Sequence, residues 1–423
     1  MIIPIYAKLL YFGFSILLLF YAVFRPKAAP FIFSWSIALN IFPFIFSPHY
    51  SQVEARFLGM PLSYMPMISA TFGLIILNGL KFRRQDRVWF AVMVAFLGYI
   101  LITTFLLREF SATSLVYFLG WPFNLFLFLV AANYFYRLES PGVAKKVIVK
   151  LVVILLLGCL IGLFRYFTDI TYDANFLPFM NRGPVAILMI IVTPLMFYLH
   201  SIKYITTQLL ILSWILIFIT FLYLFTRIGL FAFIFSSVLY LFSISKKGKL
   251  IGVLILIGVF VVYLSGVADV MFNRFATMPD TLSRIQAGTM DGEAYDYRRF
   301  ILVNAAIDII KENFWLGTGV GLENYINELK RIVPNFATHY GKSHNFYLSY
   351  FAELGFIGFS MLLLLLVGVY RKVRQVLAMK IAFVTMAIFM MVSEYILFPE
   401  LWFFFGMLAG MSAMIAKKVK IDA

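Results

Sequence analysis

Arginine and histidine mark the positions at which this chain is equipped for chemistry: Arg227 in Thr226-Arg227-Ile228-Gly229, the neighbours Arg298 and Arg299, and His344 in Ser343-His344-Asn345-Phe346. A guanidinium grips phosphate through paired donors and never loses its charge, so two arginines on separate elements could hold a diphosphate. Histidine takes a proton near neutral pH, which suits it to activate a hydroxyl as a general base. Each position also has a plain structural reading. Arg227 is flanked by apolar residues and could snorkel to a membrane surface. Arg298 and Arg299 could pair with the acidic residues just before them, Asp291, Glu293 and Asp296, and a histidine at a helix start could be a cap.

Other features carry less. The run Gly317-Thr-Gly-Val-Gly321 precedes helix-like sequence and could aim backbone N–H groups at phosphate. It follows no strand of a βαβ unit, so a tight turn between two helices is the favoured reading. Glu353 and Glu394 fall inside or near the ends of apolar runs, as functional carboxylates or as groups that orient an arginine. His339 and His344 are five residues apart and do not share a helical face, and no D-x-D occurs in this region, so metal-independent chemistry is expected.

The elements that must position these residues are membrane helices. The chain is 63% apolar with 13% charged residues and a mean hydropathy of +0.95, against roughly 25% charged in soluble domains. Apolar stretches near the ~20 residues a spanning helix needs recur along its length, and no alternating strand pattern suggests a barrel. We place thirteen spans near 2–24, 29–47, 59–80, 88–107, 111–136, 147–167, 184–200, 204–225, 229–244, 250–268, 346–369, 380–397 and 401–416. The first has no basic leader and no A-x-A-like exit, so a cleavable signal is not expected. Cys159 lies in an apolar run and has no second cysteine to pair with.

Charge sets the orientation. Alternate short loops hold 21 of the 35 Lys and Arg residues but three acidic ones, and that side is expected to be cytoplasmic, with the C-terminus on it. The same distribution argues against nucleic-acid binding, because the net charge of +16 is scattered over loops at membrane edges. The expected organisation is a transmembrane bundle over 1–268, a large outer segment over 269–343 and C-terminal helices over 344–423. The outer segment has eight basic and nine acidic residues and helix-like patterning at 298–313 and 322–331. Arg227, Arg298, Arg299 and His344 then all lie on the side away from the cytoplasm.

The ordered set resembles the O-antigen ligase and polymerase superfamily of bacterial envelope glycan assembly. The resemblance rests on Thr226-Arg227-Ile-Gly, Arg299 fifteen residues before Phe314, Leu316-Gly-Thr-Gly-Val-Gly321, His344-Asn-Phe-Tyr-Leu, and Glu353-Leu-Gly-Phe-Ile-Gly358. It covers about 226–358, with Phe314 where the family commonly has proline. It implies an all-α, GT-C-like transferase with 12 or 13 transmembrane helices in the bacterial inner membrane, acting at the periplasmic face on an undecaprenyl-diphosphate-linked glycan. Arg227 and Arg299 would neutralise the leaving diphosphate, and His344 would activate the acceptor hydroxyl. Arg298, Asn345, Glu353 and Glu394 are weaker substrate-binding candidates, and no cofactor is expected, since the donor is already activated. The resemblance points to a ligase acting on lipid A-core, or alternatively to a polymerase joining lipid-linked repeat units. A lipid-linked glycan flippase is the alternative of another class, disfavoured because the charges cluster at one face and not at mid-depth.

Overall fold

The computed structural model describes residues 5–32, 56–57, 60–61, 64–79, 87–107, 112–138, 142–168, 182–224, 227–244, 252, 295–333, 342–392 and 399–422. These residues are almost entirely helical. In chain order the helices are α1 (Ile5–Phe24), α2 (Tyr64–Asn78), α3 (Arg87–Leu101, continued by a π-turn Ile102–Leu106), α4 (Ala112–Arg137), α5 (Gly142–Thr168), α6 (Arg182–Ser201) and α7 (Thr207–Leu224). They continue as α8 (Arg227–Ile244), α9 (Tyr295–Glu312), α10 (Leu322–Ile332), α11 (Phe346–Val373), α12 (Leu377–Phe389) and α13 (Pro399–Asp422). Apart from these, Arg56–Phe57 pairs antiparallel with Met60–Pro61.

Four described helical segments are long and apolar enough to cross a membrane, Arg87–Leu106, Tyr117–Arg137, Gly142–Phe164 and Phe346–Val373, and six shorter apolar helices accompany them. The protein is therefore an all-α, multi-pass membrane protein. The spans placed at 29–47 and 250–268 lie largely outside the described residues, as do 269–294 and 334–341 of the outer segment. The two outer helices fall where the periodicity puts them, at α9 and α10.

Small residues decide the closest packing. Gly406 and Gly410 of α13 lie against α4, where a Cβ on either would meet the carbonyl oxygens of Phe128 and Ala132 at 2.5 and 2.6 Å. Both positions advance together along the two helices, so α4 and α13 run parallel, brought close by a G-x-x-x-G stripe. By contrast α3 runs antiparallel to α11: Trp89 reaches Leu365 O and lies on Gly368, whereas Tyr99 reaches Leu354 O and lies on Gly358. An aromatic core joins these four helices, with Trp121 edge-on to Phe96, Tyr350 and Trp402 at centroid distances of 5.1, 5.7 and 6.3 Å. A second group, α6, α8 and α12, packs together beside them, with Tyr240 stacked on Phe197 at 4.3 Å.

These directions give the bundle two distinct ends. At one, Lys372 lies over the rings of Trp89 and Phe128. At the other, the C-terminal end of α3 and the N-terminal ends of α4 and α11 come together. The G-x-x-x-G packing is directly testable: Gly410→Ala should destabilise the detergent-solubilised protein by about 1–3 kcal/mol through overpacking. Gly98→Ala, where a Cβ meets nothing within 4 Å, should not. Equal melting temperatures for the two variants would refute the packing argument.

Candidate active site

The second end of the bundle is built around a break in α11. Gly355 has φ +63° and ψ −176°, far from helical values, although helix continues on both sides. In an unbroken helix the amides of Phe356 and Ile357 would donate to the carbonyls of Ala352 and Glu353. Here they donate instead to Phe314 O at 2.7 Å and Trp315 O at 3.4 Å, and the two vacated carbonyls accept from Thr318 N at 2.9 Å and Gly319 N at 3.0 Å. The exchange leaves all four groups satisfied, as backbone at membrane depth requires. The Tyr99 hydroxyl donates to Leu354 O at 2.6 Å and so supplies the break from α3.

Glycine makes the exchange possible. A Cβ on Gly317 (φ +71°) would lie 2.3 Å from Glu353 O, and one on Gly355 would lie 2.5 Å from Gly317 N. The remaining amides of the run are also used internally: Gly317 N donates to Asn313 O, Val320 N to Thr104 Oγ1, and Gly321 N to Glu353 Oε1 at 3.4 Å. No amide from Gly317 to Gly321 is left for an anion, which removes the phosphate-cradle reading of this run. Phe314 has a part of its own, since its ring stacks on Phe356 at 5.6 Å while its carbonyl receives the Phe356 amide.

Through this turn the outer helices are held on α11. The apolar side of α10 supplies Tyr325 and Leu329, spaced i,i+4, and these pack with Leu302, Ala305, Ala306 and Ile309 of α9 and with Ala352. Arg331 of α10 pairs with Glu312 at the end of α9 and with Glu328. The Arg331–Glu312 pair is exposed on both sides and the Arg331–Glu328 pair on the arginine side, so each stabilises by about 0–1 kcal/mol at most.

His344 stands immediately before α11 with φ +54°, a left-handed backbone conformation uncommon for any residue but glycine. Its neighbours are fastened on both sides. Asn345 caps α11, its Oδ1 accepting the Leu348 amide at 3.1 Å. Ser343 Oγ lies 2.7 Å from Ser349 Oγ and also accepts the Asn345 amide at 3.3 Å. Lys342 is 7% exposed, and its Nζ lies 2.6 Å from Oε1 of Glu353, which is fully buried. The ammonium also lies 5.2 and 5.1 Å from the ring centroids of Tyr117 and Tyr350, within cation–π range. Removing either partner of so buried a pair costs about 3–5 kcal/mol, because the survivor keeps its desolvation without its counter-charge.

The structure thus brings His344, Asn345 and Glu353 together at the head of α11, within one assembly that also holds the turn following α9. Arg298 and Arg299 stand in the first turns of α9, and Arg227 opens α8, which packs with α6, α7 and α12. The side chains of these three arginines, and the whole of Glu394, lie outside the described residues. Among the described residues the cationic partner of Glu353 is Lys342. Sequence pattern does not single out Lys342, whose one signal is a basic residue two positions before His344 on the side where the orientation rule leaves few.

The fold and this assembly define a polytopic membrane protein with a polar, partly buried structure at one end of its bundle. Residues 211–363 match the family model described as O-Antigen ligase. The match begins in α7 and ends in α11, so it takes in Arg227, Arg298, Arg299, the glycine turn, His344, Asn345 and Glu353 but not Glu394. It supports a ligase- or polymerase-type role in O-antigen assembly, in agreement with the motif resemblance. Comparison with curated proteins gives no significant match.

The break in α11 makes its own prediction. Gly355→Ala places a side chain at positive φ, costing about 1–2 kcal/mol before any clash, against backbone atoms at 2.5 Å. It should detach the turn, raising proteolytic cleavage within 313–333. Tyr99→Phe, which loses the one hydroxyl proton shared among Leu354 O, Leu316 O and Trp315 O at 2.6, 3.1 and 3.5 Å, should cost about 1 kcal/mol and leave the turn protected by its four backbone bonds. Unchanged cleavage of Gly355→Ala would rule out the exchange as the attachment.

Proposed function

We propose that the protein is a glycosyltransferase of the bacterial inner membrane, acting at its periplasmic face. It moves a glycan from undecaprenyl diphosphate to an acceptor hydroxyl, with lipid A-core as the acceptor. The observation that carries this reading is the joining, within the matched segment, of the helix bearing Arg298 and Arg299 to the head of the helix that follows His344. The charge asymmetry of the loops supports the periplasmic placement and a cytoplasmic C-terminus.

In this reading His344 takes the proton from the acceptor hydroxyl, whose oxygen attacks the anomeric carbon of the carrier-linked sugar. The bond between that carbon and the phosphate oxygen breaks, and the electron pair leaves with the diphosphate. Arg299 and Arg227 meet the charge that develops there with fixed positive groups. The attack comes from the face opposite the leaving group, so the anomeric configuration inverts. No nucleotide is needed, because the sugar–diphosphate bond of the donor supplies the driving force.

His344→Ala should reduce transfer by about 10²-fold or more, the loss expected of a general base. Arg299→Lys should fail to restore what Arg299→Ala loses, since an ammonium lacks the paired donors of the guanidinium. Polysaccharide gels of strains carrying these variants provide the check: disappearance of glycan attached to lipid A-core is expected. A collapse to single repeat units would instead assign a polymerase, and normal glycan in all three strains would overturn the transferase reading.

A further inference from the structure

Lys342 and Glu353 make the most deeply buried ion pair among the described residues, and the reaction proposed above assigns them no step. Their place in the chain is informative. Glu353 lies on α11, two residues before the Gly355 break, and reaches in two directions. Its backbone carbonyl accepts Gly319 N–H at 3.0 Å and its Oε1 accepts Gly321 N–H at 3.4 Å, so it holds the turn that leads back to α9. The same Oε1 holds Lys342 at 2.6 Å, and Lys342 is two residues from His344. One carboxylate therefore fastens both the turn after the arginine-bearing helix and the strand of backbone that presents the histidine.

The backbone at His344 requires such a fastening. A left-handed conformation at a non-glycine residue persists where its surroundings over-determine it, and such strain gathers at functional sites. Lys342 is tied to Glu353 on one side, and Asn345 is tied into the α11 cap on the other. His344 itself is partly exposed between these two anchors. A surface pair could not do this, because exposed side chains sample many geometries. A buried one under two tyrosine rings has a single arrangement available to it.

We propose that Lys342 and Glu353 are positioning residues for the transfer reaction: they form a buried clamp that sets His344 relative to the arginine-bearing helix α9. The inference rests on the proposed role of His344. It differs from a purely structural role in what it predicts, since misplacing a reacting group by about 1 Å can cost up to ~10²-fold in rate without weakening binding in proportion. The clamp therefore acts on kcat. KM for the lipid-linked donor, held by the arginines, is set elsewhere.

The test uses the full chain purified in detergent, with lipid-linked glycan as donor and lipid A-core as acceptor. Lys342→Met and Glu353→Gln should each lower kcat by roughly 10- to 10²-fold, with donor KM changed by less than about threefold. The exchanged pair Lys342→Glu with Glu353→Lys should recover at least part of the lost kcat, because it restores opposite charges at the same two positions. Amide hydrogen exchange over 342–349 should rise in the single variants and fall back in the exchanged pair, whereas Gly321 should stay unprotected in that pair, since a lysine at 353 cannot accept its amide. Wild-type kcat in both single variants, with His344→Ala inactive, would overturn the clamp and leave the transferase intact. Loss of kcat that merely follows the folded fraction, with no recovery in the exchanged pair, would also overturn it. Activity in His344→Ala would instead remove the transferase reading, and the catalytic purpose of the clamp with it.

Discussion

Four backbone hydrogen bonds exchanged between α11 and the 314–319 turn are the constraint on which the rest of this region depends. A helix in a membrane cannot leave an amide or a carbonyl unpaired without a cost of several kcal/mol. A break is tolerated when another piece of chain presents the complementary groups, and here the turn donates two amides and offers two carbonyls in return. The cost of the break is thus converted into an attachment. Without it, α9 and α10 would be joined to the bundle by apolar contacts and by the side-chain hydrogen bonds that Tyr99, Thr104 and Glu353 make to the turn.

Placing the break at Gly355 has consequences on both sides. Toward the middle of the membrane, α11 continues as a regular helix, packed along α3 with Gly358 and Gly368 under Tyr99 and Trp89. Toward the end of the bundle, the short segment from Phe346 to Leu354 carries polar side chains inward: Ser349 toward Ser343, and Glu353 toward Lys342. Ser343 and Lys342 each meet one of these groups, Glu353 Oε2 alone of the carboxylate having no hydrogen-bond partner among the described residues, and the aromatic core of Trp121, Tyr350 and Trp402 closes beneath them. A rigid apolar base below and an ion-paired, hydrogen-bonded layer above is the arrangement by which a fold can hold a reactive side chain in an unusual backbone conformation.

Composition and charge were enough to make the class legible. A chain so rich in apolar residues can satisfy its backbone only as helices, and positions of Lys and Arg in short loops divide those helices between two faces. The helix boundaries of the outer segment were also legible, because the apolar residues of α10 recur at helical spacing while Glu323, Lys330 and Arg331 face outward. Arg227, Arg299 and His344 stood out because such residues are costly near a membrane without a purpose. The family match over 211–363 agrees with what those ordered residues suggested.

Contacts between residues far apart in sequence were not legible, and they decide how the site is held. Local pattern favoured a turn for the glycine run; that all its amides but that of Gly317 are spent on α11 and on Thr104, leaving none for an anion, depends on a helix more than thirty residues later and a π-turn more than two hundred earlier. Glu353 could be seen as a carboxylate in an apolar run, but its partner could have been any cation that the fold delivered. The sequence by itself determined the membrane class, the helices and the residue types available for chemistry, because these follow from local hydropathy and charge. Only the tertiary structure decided that α11 breaks at Gly355 and that Lys342 is the cation paired with Glu353, because both depend on which distant backbone and side-chain groups meet once the bundle has closed.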